Sequence, residues 1–156
     1  EMEREPVDLK TLIEESVTSA RAAGPDHPIS LALPDDDLFV LGDSHRIHQV
    51  ISNLLANART HTPTGTPITV TAHQDESGTR ISVADEGPGL SPEDQNRIFE
   101  RFYRADPSRV RNGGEGSGLG LSIVDAVMKA HGGSVSVTSE LGKGATFTLF
   151  FPMDES

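Results

Sequence analysis

The chain has 156 residues, 35% hydrophobic and 24% charged, which suits one domain with its own core and excludes a disordered composition. It has no cysteine, so disulfides and thiolate metal sites are excluded. A formal net charge of -11 repels phosphate backbones and anionic lipid, which argues against nucleic acid or bare membrane as a partner.

The chain opens on Glu-Met-Glu-Arg-Glu, with no signal peptide. It reads as a piece of a longer protein, whose targeting or membrane segment would lie upstream. No apolar run approaches the roughly 20 residues that cross a bilayer.

Asp8 is placed to cap a helix in which Leu9, Leu12, Ile13, Val17 and Ala20 keep helical spacing. Gly24-Pro25 stops it. Ile29, Leu31 and Leu33 alternate with small residues and predict a strand; Leu38 to Leu41 predict a second. Ser44 is the expected cap of a stronger helix, with a wide stripe of Ile47, Val50, Ile51, Leu54, Leu55 and Ala58, ending near Thr62-Pro63. Ile68, Val70 and Ala72, then Ile81 and Val83 after the Ser77-Gly78 turn, predict a hairpin.

Pro88 to Pro92 reads as loop. Ser91-Pro92 supplies an N-cap and an N1 proline for one or two helical turns over 93–99. Residues 104–116 hold arginines and glycines with almost no large apolar group, and predict a long loop of the kind that carries function. Helix resumes over 117–131 and is closed by Gly132-Gly133. Two last strands follow, with Val135 and Val137 in one and Phe147, Leu149 and Phe151 in the other. The expected architecture is an α/β (α+β) two-layer sandwich, one mixed sheet covered on one face by helices, in a single domain spanning 1–156.

Four clusters suit a nucleotide. Asn53 and Asn57 share a helix face at the edge of the apolar stripe, and an amide oxygen there is a ligand of the type Mg²⁺ accepts. Asp85 keeps the alternation of Ile81 and Val83, so its carboxylate points to the buried face. Adenine offers an amino donor where guanine presents a carbonyl, so a carboxylate selects adenine, and Gly87 and Gly89 let backbone approach the ring. Gly116-Ser117-Gly118-Leu119-Gly120-Leu121 runs into a helix, whose first N–H groups attract phosphate. Arg104, after Phe99-Glu-Arg-Phe-Tyr103, can reach a terminal phosphate. Each cluster alone also has an ordinary reading: solvated asparagines, a strand-end turn, a glycine-rich loop, core aromatics.

Taken in order, these clusters resemble the histidine-kinase branch of the GHKL ATPases. Asn53-Leu-Leu-Ala-Asn57-Ala resembles the N box, and Asp85-x-Gly87-x-Gly89 the first glycine box. Phe99 to Arg104 resembles the F box, Gly116 to Leu121 the second glycine box, and Gly142-Lys-Gly-Ala-Thr146-Phe147 the last glycine motif. The match runs from about Pro6 to Pro152. It implies the Bergerat fold, with ATP held between the N-box helix and a flexible lid at 104–116.

The resemblance implies roles as well. Asn57 would bind Mg²⁺ with Asn53 close by, Asp85 would bind the adenine amino group, and Arg104 would approach the γ-phosphate. Ser117, Gly118, Leu119, Gly120 and Leu121 would line the phosphates. Thr146 would lie near the adenine, through a water that Asp85 also holds. Thr60 and His61 stand where the family often has lysine and tyrosine. A lysine contact to phosphate is therefore missing, Arg104, Arg109 or Arg111 would compensate, and His61 would stack on the nucleotide.

None of His27, His45, His48, His61, His73 and His131 has a phosphoacceptor context, and His131 sits at a helix end where it favours the dipole. The implied protein is a sensor histidine kinase that passes the γ-phosphoryl of ATP to a histidine on a separate dimerisation hairpin, for relay to a response regulator. This piece would be a cytoplasmic, monomeric domain of a membrane-anchored kinase. Gyrase- or chaperone-type hydrolysis is disfavoured, because asparagine stands where those enzymes use a glutamate base. The F box disfavours an anti-sigma serine kinase, and the full motif set disfavours an inactive binding module.

Overall fold

The structure is a computed structural model that describes residues 2–101, 103 and 120–153. The long loop read over 104–116, with Arg104, Arg109 and Arg111, and the glycine-box residues Ser117, Gly118 and Leu119 lie outside the described residues. So do Phe102 and residues 117–119 of the helix expected over 117–131.

The described elements run β1 (Glu5–Asp8), α1 (Leu9–Ala23), β2 (Ile29–Ala32), β3 (Phe39–Gly42), α2 (Ser44–Thr60), β4 (Ile68–Asp75), β5 (Gly78–Asp85), α3 (Pro92–Arg97), α4 (Gly120–Ala130), β6 (Ser134–Glu140) and β7 (Gly144–Pro152). Five strands form one sheet in the order β2-β4-β5-β7-β6. β2 runs parallel to β4 and every other pair is antiparallel, so the sheet is mixed as expected.

Period-two alternation sends Ile68 and Val70 of β4, Ile81 and Val83 of β5, and Phe147 and Leu149 of β7 to one face. The apolar stripe of α2, fully buried from Ile47 to Leu55, packs onto that face with α1 on one side and α4 on the other. Residues between the inward ones, such as Thr71, Ser82 and Thr148, stay part-exposed on the opposite face, where Ser82 and Thr148 share a hydrogen bond of 3.1 Å. Helices thus cover one face of the sheet.

Two elements differ from the expectation. β1 has one apolar residue turned inward, Val7, too little to show as a strand in the sequence. It pairs antiparallel with β3 in a separate two-stranded sheet, so β3 does not join the main one. The cap of α2 is Asp43 rather than Ser44: the Asp43 carboxylate accepts the N–H groups of His45 and Arg46 at 3.1 and 3.2 Å, and that of Glu3 at 3.1 Å. These bonds hold its carboxyl below the usual value, with the Glu3 N–H the largest cause.

α4 ends as the glycines predict. Gly132, at φ 74°, donates to the Lys129 carbonyl and Gly133 to that of Met128, which closes the helix in a Schellman turn. His131 does something other than complement the dipole. Its Nδ1 lies 2.9 Å from the Val127 carbonyl and its Nε2 accepts the Asp43 N–H at 3.1 Å. A carbonyl only accepts and an N–H only donates, so the ring is the neutral Nδ1–H tautomer. It clips the end of α4 to the start of α2.

Candidate functional site

α2 leaves the core at its C-terminal end, and a pocket opens there against the end of β5. Asn57, His61, Thr62, Asp85, Gly89 and Leu90 line it, over a floor of Ile98, Ala145 and Phe147. Its cavity volume is only about 30 Å³, close to one water molecule's share of liquid volume. The pocket joins the middle of the chain to its last strand because β5 and β7 pair with Asp85 opposite Ala145.

The Asp85 carboxylate is half-buried on the inward side of β5, where the alternation places it. Burial pushes its carboxyl above the usual aspartate value, against the opposing pull of the Gly87 and Ala145 N–H groups and of the His61 ring. The Gly87 N–H reaches Oδ1 at 2.9 Å. The following loop is braced on the β6–β7 turn. A side chain at Gly89, φ 78°, would meet the Glu140 carbonyl at 2.3 Å, so only glycine fits. Leu90 N–H donates to Ser139 Oγ at 2.8 Å and Gly142 N–H to the Pro88 carbonyl at 2.7 Å. Gln95 spans the same gap, donating to the carbonyls of Leu90 and Ser139.

The two asparagines divide. Asn53 donates its amide to the Gly120 carbonyl at 3.3 Å, which ties α2 to α4, and Leu121 is buried just beyond. The Asn57 amide lines the pocket and makes no hydrogen bond among the described residues. His61 Nδ1 donates to the Asn57 carbonyl at 3.0 Å, which orients the ring beside the pocket. No lysine or arginine is among the described lining.

α3 carries the wall on the F-box side. Ser91 caps it and Pro92 opens it, as the sequence predicts. Phe99 meets Phe147 edge-on at 6.1 Å. Tyr103 donates its hydroxyl to the Asp94 carboxylate, and the Arg97 guanidinium stacks on its ring at 4.7 Å. That bond pushes the Tyr103 hydroxyl up to about 12.

Asn57, His61, Asp85 and Gly89 therefore come together, with Gly87 directly behind Asp85 and Asn53 one helical turn away. Thr146 does not join them. It neighbours Ala84 and Thr138 on the opposite face, and Ala145 takes the place beside Asp85. Counting two by two back from Phe147 gives this parity. Sequence reasoning also missed Thr62, Ser139 and Gln95, whose partners are remote in the chain and leave no local pattern.

A pocket at the open end of a helix lying on a mixed sheet defines a two-layer α/β ligand-binding domain. A family model for histidine kinase-, DNA gyrase B- and HSP90-like ATPases matches residues 42–155, and the chain belongs to that family. The probable sensor histidine kinase TcrY of Mycobacterium tuberculosis is 44% identical over 98% of this chain, which covers 32% of TcrY. Among solved structures, the mycobacterial sensor histidine kinase MprB superposes with a TM-score of 0.84 at 31% identity, over 95% of this chain and 97% of that one. Full-length ShkA in complex with AMPPNP gives 0.77 at 33% identity, over 98% of this chain and 32% of ShkA. The chain spans about a third of the curated relatives it matches, 32%, 31% and 36% of the first three. Among the described residues no helix is long and apolar enough to cross a membrane.

Tyr103 is the single tyrosine of a chain without tryptophan, so ultraviolet absorbance reports it alone. In base titration it is expected to ionise near 12, and Asp94→Ala to bring it back toward 10.0. Its raised value means that the Tyr103 contribution to stability is complete below pH 10.0 and is lost as the pH rises through about 12. A wild-type midpoint at the ordinary value would contradict the Tyr103–Asp94 bond.

Proposed function

We propose that this chain is the ATP-binding catalytic domain of a sensor histidine kinase. It would transfer the γ-phosphoryl of Mg-ATP to a histidine on a dimerisation hairpin outside this sequence, for relay to an aspartate of a response regulator. The observation that carries the reading is Asp85: a half-buried carboxylate at the pocket wall, fixed from behind by backbone N–H groups, with acceptor capacity left for an adenine amino group. The likeness to sensor histidine kinases, and to ShkA with its ATP analogue, supports it.

Asn57 fits the magnesium role. It offers an uncommitted amide oxygen in the pocket, and no group of three His, Asp or Glu residues able to hold a metal occurs among the described residues. A metal held by one amide, waters and the substrate's own phosphates is the habit of Mg²⁺, which would neutralise phosphate charge there. Asn53, tied to Gly120, would keep the helix against the phosphate end. Arg104 and the glycine-box residues Ser117 to Leu121 would meet the phosphates, and His61 would flank the nucleotide in place of the family tyrosine. Ala145, not Thr146, would be the side chain next to the adenine.

The protein's own work is positioning and charge neutralisation, which phosphoryl transfer chiefly needs. Hydrolysis is disfavoured because Asn53 is no base. The partners are the phosphoacceptor hairpin and a response regulator. The parent is read as membrane-anchored with this domain in the cytoplasm, and the isolated domain as a monomer.

Calorimetry is expected to show ATP binding in the presence of Mg²⁺, with GTP at least about tenfold weaker, or about 1.4 kcal/mol. Asp85→Asn should weaken ATP severely. The same variant should be at least as heat-stable as the wild type without nucleotide. The folded carboxyl titrates above its ordinary 3.8, so its charge opposes folding at neutral pH, and that cost vanishes only as pH falls toward 3.8. Equal affinity for ATP and GTP would remove Asp85 from the adenine role.

Incubated with γ-labelled ATP, the chain alone should stay unlabelled. His27 and His131 are buried and hydrogen-bonded, and His61 is bonded through Nδ1 to its own helix. Adding the parent's phosphoacceptor hairpin should place an acid-labile, base-stable phosphate on the hairpin. Stable label on this chain alone would contradict the separation of nucleotide site from nucleophile, and no label on either piece while ATP binds well would put an inactive binding module ahead of the kinase reading.

A further inference from the structure

A buried histidine lies behind the pocket wall. His27, in the α1–β2 connection, is 7% exposed. Its Nε2 lies 3.0 Å from Thr62 Oγ1 and 3.3 Å from the Thr62 carbonyl oxygen. The carbonyl only accepts, so Nε2 carries the proton and donates. Thr62 directs its own hydroxyl proton to the Ala58 carbonyl at 2.7 Å, so its oxygen also accepts from the ring. The two connections are laced together around this contact. Gly65 N–H donates to the Asp26 carbonyl at 2.8 Å and Ile68 N–H to that of Pro28 at 2.9 Å.

These bonds fix the Thr62 side chain in one orientation, with its methyl against Gly87. A Cβ at Gly87 would sit 2.4 Å from Thr62 Cγ2 and 3.1 Å from Asp85 Oδ1. Gly87 in turn donates its N–H to Asp85 Oδ1. Contact is continuous from His27 through Thr62 and Gly87 to the carboxylate, and Thr62 itself lines the pocket.

We propose that His27 is a positioning residue for nucleotide recognition. By locking Thr62 it sets where Gly87 lies, and through Gly87 the direction of the Asp85 carboxylate, without touching the nucleotide. The proposal rests on the reading of this pocket as an adenine site. A histidine that merely filled space would affect stability and leave the choice of base unchanged.

The test is calorimetry of ADP and GDP with Mg²⁺ on the wild type and on His27→Ala, His27→Gln, Thr62→Val and the His27→Ala/Thr62→Val double variant, with thermal unfolding of each. His27→Ala and Thr62→Val are expected to weaken ADP about tenfold and to narrow the ADP-over-GDP preference. His27→Gln, which keeps an N–H donor, should stay within about threefold of wild type. The double variant should be no worse than the worse single one, because both break one linkage. If His27→Ala does not fold, Thr62→Val and His27→Gln decide. Unchanged affinity and preference in folded Thr62→Val or His27→Ala, even with a lowered melting temperature, would overturn the proposal, as would fully additive losses. A wild type that binds no adenine nucleotide would overturn the adenine reading itself, and this proposal with it.

Discussion

The constraint on which this pocket depends is a carboxylate that the fold half-buries with no lysine or arginine beside it among the described lining residues. Desolvation alone favours the protonated form of Asp85, and the fold opposes this with aligned backbone donors. The Gly87 N–H comes from the turn after β5, and that of Ala145 from the facing strand. The Gly87 donor is local to the turn, two residues from Asp85, whereas the Ala145 donor is present only once β5 and β7 are paired in register. A lone Asp-x-Gly turn would have the first donor only; the second donor and the burial come from the sheet.

The rest of the site follows from fitting elements around that point. α2 serves two ends with one periodicity: its apolar stripe seals the core, and just off the stripe Asn57, with the capping His61, lines the pocket while Asn53 ties the helix to Gly120. The turn after β5 is immobilised by Ser139, Gln95 and the Gly142–Pro88 bond. The F-box side is tied down at Tyr103 by Asp94 and Arg97. A site supported by rigid elements on every described side loses little freedom when a ligand arrives, which is the physical value of preorganisation.

Much of this was legible in the sequence where one residue's neighbours in the chain are also its neighbours in space. The stripes of α1 and α2, the β4–β5 hairpin, the Ser91-Pro92 start of α3, the glycine closure of α4 and the inward turn of Asp85 all follow from local periods and turn chemistry. What was not legible is set by distant partners. Asp43 and Ser44 are both good caps; the choice falls to Asp43, which also holds the Glu3 N–H while His131 holds its backbone. β1 exists only because β3 is there to pair with it. His27 and Thr62 are 35 residues apart and Leu90 and Ser139 are 49 apart, so no pattern announces either contact. Thr146 is a different case: the family motif implies a place near the adenine, but the alternation ending in Phe147 points it away from the pocket, and the pairing of Asp85 with Ala145 follows the alternation.

The most direct measurement of this account is the titration of the Asp85 side-chain carboxyl by carbon-detected NMR, in the free protein and with saturating ADP and Mg²⁺. In the free protein its midpoint should lie above the ordinary 3.8, because burial dominates. Adenine that donates its amino group to the carboxylate binds the ionised form preferentially, so linkage requires the midpoint to fall when ADP is bound. A midpoint unchanged by ADP would contradict the account, because the carboxylate would then not be the group that reads the base.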